Sequence, residues 1–244
     1  MKNALVLHGW PQYDISDHFL CNYLRKSGYK VFPPNLFSED FLLTVENILE
    51  EVETQMVKEK PDLIIGISMG GLIVPYFAEK YPVSKLVFIS SGPKLEARSK
   101  GFNLMISVAN LLLRVKMFSF LIKLPDFIFK FFYKLSNPFN GNEDDRGLYE
   151  EDAEENISYI KSISLSKERE ILNFVLGIDN TDLLVNLENE TLIFSGEKDL
   201  LMTKGNGVKL HKLLRNSELV VNSGGHFNSF TEKDLLKFDR FIKN

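Results

Sequence analysis

Apolar positions in the first 90 residues fall into two kinds of run, which alternate. Ala4 to Leu7 is a short unbroken apolar run, the length of a buried strand. Phe19, Leu20, Tyr23 and Leu24 then share one helical face, and Gly28 supplies a stop. Tyr29 to Phe32 is strand-like and ends at Pro33-Pro34. Phe41, Val45, Ile48, Leu49, Val52 and Met56 recur at helical spacing. Leu63 to Ile67 predicts a strand, 71–80 a helix, and Lys85 to Ile89 another strand. Apolar strands separated by helices bury both faces of a sheet, which predicts a parallel arrangement.

The alternation stops at Gly92-Pro93. From 94 to 185 no strand pattern occurs, so the stretch reads as an all-α insertion, with a turn at Pro138-Phe-Asn-Gly141. It resumes at Thr191-Leu-Ile-Phe194, followed by a helix near 204–214 and a strand at Glu218 to Val221. Thr231 and Asp234 have capping-box spacing ahead of a last helix, whose inner face is Leu235, Leu236, Phe238, Phe241 and Ile242. The expected architecture is α/β: a mostly parallel sheet flanked by helices, built from 1–93 and 186–244, with a helical cap at 94–185.

Composition narrows the class. The chain has 244 residues, 44% of them hydrophobic and 25% charged, as in an ordinary globular protein. A formal net charge of −4 gives no electrostatic case for nucleic-acid binding. The single cysteine, Cys21, rules out an intrachain disulfide and is expected to pack inside a helix. The apolar run at 104–113 is too short for a transmembrane segment, and Ala4 to Leu7 is too short for a signal-peptide core. A cytoplasmic location is expected.

Chemistry enters at Gly66-Ile67-Ser68-Met69-Gly70, where the third strand meets a helix. A sharp turn there lifts one side chain above the sheet edge. Glycines are needed on either side because a Cβ would strike neighbouring backbone. The helix that follows aims free N–H groups and its positive dipole end at the same place. This is the pattern of a nucleophile elbow. Pro75 is expected to bend that helix after its first two turns.

A serine hydroxyl needs a base. Of His8, His18, His211 and His226, the last follows directly after the strand ending at Val221, at the sheet edge where Ser68 projects. His18 and His211 fall on polar helical stretches and read as solvated. His8 follows the first strand, where Gly9 suggests a loop-shaping role. The base in turn needs a carboxylate to fix its tautomer. Gly196-Glu197-Lys198-Asp199 follows the strand at 191–195, and Asp199 is the choice, with Glu197 the near alternative. The order Ser, Asp, His fits the elbow.

Four stretches together, Leu7-His-Gly-Trp-Pro11, Gly66-Ile-Ser-Met-Gly-Gly71, Phe194-Ser-Gly-Glu-Lys-Asp199 and Gly224-Gly-His-Phe227, resemble the α/β-hydrolase superfamily. The likeness covers roughly 1–92 and 188–244. The insertion is similar in position to that superfamily's helical cap. The resemblance implies an oxyanion hole made by the backbone N–H groups of Met69 and Trp10. It implies a serine hydrolase acting on a carboxylic ester of a small or medium acyl group, with a small-molecule substrate and no cofactor or metal. Thioesterase, amidase, acyl-transfer or lyase chemistry on the same three residues is the alternative, as is a non-catalytic binding protein of the same fold.

The insertion is uneven in charge. Residues 94–139 hold eight of the twenty phenylalanines, with eight Lys or Arg against two acids, Glu96 and Asp126. Residues 143–155 carry eight acids and one arginine and read as a solvated, mobile stretch. Apolar residues from Leu104 to Leu124 recur at mixed helical spacings. They either bury the cap on the main domain, line a pocket for acyl chains or meet a lipid surface.

Overall fold

Side chains on a strand alternate between faces, and here that alternation divides the apolar residues into two cores. Leu5, Leu7, Ile64, Leu86, Phe88 and Ile193 belong to one cluster. Ala4, Val6, Leu63, Ile65, Val87, Ile89, Leu192 and Phe194 belong to the other. The computed structural model describes residues 1–10, 15–36, 40–56, 59–96, 125–136, 146–199, 201–226 and 230–243. Within them, β1 (Lys2–Leu7), β2 (Tyr29–Phe32), β3 (Leu63–Ile67), β4 (Lys85–Ile89), β5 (Glu190–Gly196) and β6 (Ser217–Asn222) form one sheet. Its order is β2-β1-β3-β4-β5-β6, and every pairing is parallel. The parallel sheet expected from the alternating runs is therefore present.

Helices cover both faces. α1 (Phe19–Lys26) and the last helix, α9 (Leu235–Lys243), supply Leu20, Leu24, Phe238 and Ile242 to one core. α2 (Val45–Met56), α3 (Met69–Lys80) and α8 (Lys204–Leu213) supply Ile48, Val52, Ile73, Phe77 and Leu210 to the other. Burying a side chain of this size contributes roughly 1.5–3 kcal/mol. Cys21 is fully buried on α1. α3 continues through Pro75 to Lys80. Thr231 and Asp234 close a 3-10 turn: the Thr231 N–H donates to Asp234 Oδ2 at 2.9 Å, and the α-helix begins one residue later.

Between β4 and β5 the described residues form α4 (Asp126–Ser136), α5 (Arg146–Ser162), α6 (Leu165–Gly177) and α7 (Thr181–Leu184). The apolar pattern at 104–124 and the turn at 138–141 lie outside the described residues. The acidic run, expected as a solvated, mobile stretch, lies among the described residues only from residue 146, and Glu154 and Glu155 in it are exposed. From residue 146 it forms part of the 17-residue α5. Two of its acids pair with lysines of α4. Lys130 Nζ lies 3.0 Å from Glu150 Oε2 and 2.6 Å from Glu154 Oε1, and Lys134 also pairs with Glu150. These lysines hold the Glu150 carboxyl below the usual carboxylate range. The later part of this region joins the main core, with Ile163, Ile171 and Leu184 in the same cluster as Leu5 and Phe88.

Ser164 caps α6, its Oγ accepting from the Lys167 N–H at 3.1 Å. The Lys167 side chain is buried, and its Nζ donates to the Phe41 carbonyl and to Glu170 Oε1. Glu170 accepts from the Leu43 N–H, so α6 is laced to the segment that leads into α2. Beside it, Glu168 is only 5% exposed, and among the described residues its Oε1 has no hydrogen-bond partner. Burial lifts its carboxyl to about 8. A carboxyl raised on folding leaves stability intact below its ordinary value and removes it as pH climbs through the raised one. Glu168→Gln is therefore expected to raise the melting temperature by roughly 5–10 °C at about pH 9 and by little at about pH 5. Thermal unfolding at the two pH values checks this, and an equal shift at both would contradict it.

Candidate active site

The sheet order reverses direction beside β1: β2 lies on one side of it and β3, β4, β5 and β6 on the other. Loops at the carboxyl ends of β1 and β3 diverge there and leave a crevice, the usual ligand position in such sheets. Gly9 and Trp10 follow β1, and Ser68 follows β3.

The turn at Ser68 is as tight as its glycines suggest. Ser68 has φ 51° and ψ −115°, a left-handed conformation rare for a residue with a Cβ. A Cβ on Gly66 would lie 2.5 Å from Gly71 Cα, and one on Gly70 would lie 2.1 Å from the Leu7 carbonyl oxygen. These two positions admit only glycine, because the start of α3 is pressed against β1 and β3. The strained backbone is pinned by the Ser68 N–H, which donates to the Ile89 carbonyl at 2.8 Å. The Ser91 hydroxyl donates to the Ser68 carbonyl at 2.9 Å.

Ser68 Oγ lies 2.8 Å from His226 Nε2, and His226 Nδ1 lies 2.8 Å from Asp199 Oδ2. His226 is 7% exposed and Asp199 1%. The other Asp199 oxygen, Oδ1, accepts from the Leu201 and Met202 N–H groups at 2.8 and 2.9 Å. An acceptor-only carboxylate facing Nδ1 puts the proton there and leaves Nε2 as an acceptor for the serine hydroxyl. Residues distant in sequence thus form one line of hydrogen bonds. Glu197, the alternative carboxylate, is exposed, and its N–H binds the Asn222 carbonyl at 2.8 Å.

Two serines escaped the sequence reading. The Ser90 hydroxyl donates to the His226 carbonyl at 2.7 Å, and Ser91 holds the elbow as described. Ser90 itself has φ 48°. The available signal was their position at the carboxyl end of β4, in Ile89-Ser-Ser-Gly-Pro93.

The other histidines divide. His8 is fully buried; its Nε2 accepts from the Leu36 N–H and its Nδ1 lies 3.0 Å from the Gly9 carbonyl. His211 is exposed and bonds Ser217. His18 does not lie solvated on a surface. It caps α1 through Nδ1, which accepts from the Leu20 N–H at 3.3 Å, and it lines the crevice. Burial holds its imidazole down to about 4.

A cavity of about 50 Å³ opens over Ser68. Its described wall consists of Phe19, Ile67, Ile89 and Phe230 with Gly9, Trp10, His18 and His226. Phe19 and Phe230 stack with centroids 5.7 Å apart, which stiffens the apolar side. Met69 is the first residue of α3, and Trp10 stands on the cavity wall, so both proposed oxyanion donors come from segments that flank Ser68. Among the described residues no group of three or more His, Cys, Asp or Glu is placed to hold a metal ion. Among the described residues, too, no helix is long and apolar enough to cross a membrane.

Solved structures share this architecture. An esterase (EaEST) from Exiguobacterium antarcticum is 17% identical with a TM-score of 0.74, covering 100% of this chain and 92% of that one. A bromoperoxidase from Bacillus anthracis is 18% identical with a TM-score of 0.77 and the same coverage. An enol-lactonase from Burkholderia xenovorans LB400 is 12% identical with a TM-score of 0.76, again with the same coverage. At such identities the likeness is one of fold. No curated protein matches the sequence. The sequence model of the alpha/beta hydrolase fold matches residues 5–233. With that match spanning most of its length, the chain belongs to the alpha/beta hydrolase fold family.

Proposed function

We propose that this protein is a serine hydrolase that cleaves a carboxylic ester of a small or medium acyl group through an acyl-enzyme. The observation that carries the reading is the 2.8 Å contact of Ser68 Oγ with His226 Nε2, with Asp199 at 2.8 Å on the far side of the ring. The strained conformation of Ser68 supports it, since such strain concentrates at functional sites.

In this reading Ser68 Oγ attacks the ester carbonyl while His226 Nε2 takes its proton. The oxyanion rests on the backbone N–H groups of Met69 and Trp10. One such donor is worth about 2.7–4 kcal/mol of transition-state stabilisation. His226 returns the proton to the departing alcohol. Water, deprotonated by the same ring, then attacks the acyl-serine and releases the acid. Asp199 holds the ring and steadies its charge without taking up the proton. None of these steps calls on a cofactor.

A cavity of about 50 Å³ with apolar walls suits a short acyl chain. In this reading the helical insertion at 94–185 is a cap domain on a core drawn from 1–93 and 186–244. A fluorophosphonate probe tests the nucleophile: the wild type is expected to label and Ser68→Ala not to. A panel of p-nitrophenyl esters, acyl-CoA thioesters and amides tests the bond, and the esters are expected to turn over fastest. Activity is expected to fall on the acid side, because a protonated imidazole cannot act as base. A kcat/KM profile from about pH 5 to about 9 that stays flat would speak against His226 as the base.

A further inference from the structure

His18 is the one titratable wall residue of the cavity, among the described residues, that the proposed reaction does not use. Its ring is fixed from one side. Nδ1 accepts from the Leu20 N–H, which satisfies an amide in the first turn of α1. The ring also packs on Phe19, with centroids 4.6 Å apart. The two nitrogens of an imidazole point in widely different directions, so Nε2 is turned away from the helix end. Among the described residues His18 makes no hydrogen bond through Nε2.

The tautomer follows from these contacts. A ring whose Nδ1 accepts carries its proton on Nε2 when neutral. Burial keeps His18 neutral at ordinary pH. Nε2–H is then a fixed donor in a wall that contains no Asp or Glu among its described residues. A second wall residue adds to the imbalance: among the described residues the buried Trp10 indole Nε1–H has no acceptor. His18 Nε2–H, by contrast, is open to the water of the cavity, and a ligand oxygen that replaces that water keeps its hydrogen bond, whereas an alkyl group does not.

We propose that His18 is a specificity residue, whose Nε2–H donates to a second oxygen of the ester, outside the scissile carbonyl group. The preferred substrates are then short esters that carry an ether, hydroxyl or further carbonyl oxygen near the reacting centre, in place of plain alkyl esters. This rests on the esterase reading.

Two pairs of nearly isosteric esters test it. p-Nitrophenyl methoxyacetate and butyrate differ by one oxygen in the acyl chain. 2-Methoxyethyl and butyl acetate differ by one in the alcohol. His18→Asn and His18→Ser both keep a good helix cap while withdrawing the ring nitrogen. In at least one pair, the kcat/KM ratio of oxygenated to plain ester is expected to fall about three- to tenfold in both variants. Comparing ratios between proteins cancels the intrinsic reactivity of each ester. Fluorophosphonate labelling is expected to persist in both variants, as His18 lies outside the reacting chain. Persistent labelling with unchanged ratios in both pairs would overturn the role of His18 alone. A wild type that neither labels nor cleaves any of the four esters would overturn the esterase reading, and this proposal with it.

Discussion

Ser68→Ala is expected to lower turnover by about 10⁶-fold while leaving the fold intact. The size of the loss follows from the geometry. Ser68 Oγ is bonded to His226 Nε2, at 2.8 Å. Without it the imidazole has no nucleophile to activate, and water does not occupy the same strained, pre-aimed position. Residual rate would come from the oxyanion donors and from binding alone. Alanine fits the backbone no worse than serine, since both carry a Cβ at φ 51°. Burst and steady-state hydrolysis of a p-nitrophenyl ester, beside a thermal melt, gives the answer. A variant that keeps more than about a hundredth of the wild-type rate would remove Ser68 as nucleophile.

Asp199→Asn is expected to cost about 10³–10⁴-fold in kcat. Asp199 accepts from His226 Nδ1 through Oδ2 and from two backbone N–H groups through Oδ1. Those backbone donors hold the oxygen end of an asparagine amide and turn its NH₂ toward the ring. Nδ1 must then accept, and the proton moves to Nε2. The ring faces Ser68 with a donor where the reaction needs an acceptor, so the geometry survives and the chemistry does not. Glu197→Gln is the companion measurement. Glu197 is exposed, and its replacement is expected to leave kcat within about twofold. If instead Glu197→Gln carried the large loss, the assignment of the acid would be wrong.

The two carboxylates show where sequence reading runs out. Both follow β5 within a few residues, and both are chemically suited to the role. Which one reaches the ring depends on the path of a loop, and that path is set from outside it. The Lys198 N–H binds the Gly224 carbonyl at 2.9 Å and the Glu197 N–H binds the Asn222 carbonyl, which tie the Asp199 loop to the His226 loop. Partners more than twenty residues away leave no local pattern. His18 shows the same limit from the other side. Its polar neighbours in sequence resemble a solvated helix start, yet it lines the crevice beside Ser68. The acidic run of α5 gives no local sign of its lysine partners, which lie on α4, ten or more residues earlier.

By itself the sequence determined what depends on neighbours along the chain: the strands and helices of the core, the parallel sheet they imply and the tight turn at Ser68, with His226 placed at the same sheet edge by its position after a strand. Apolar periodicity and glycine sterics act over a few residues, so they are written locally. Only the tertiary structure decided which carboxylate meets His226, that Ser90 and Ser91 hold the two loops, and that His18 stands in the wall. Each of those outcomes depends on where distant loops cross at the carboxyl edge of the sheet. That crossing is fixed by long-range hydrogen bonds and packing, and no short stretch of sequence contains it.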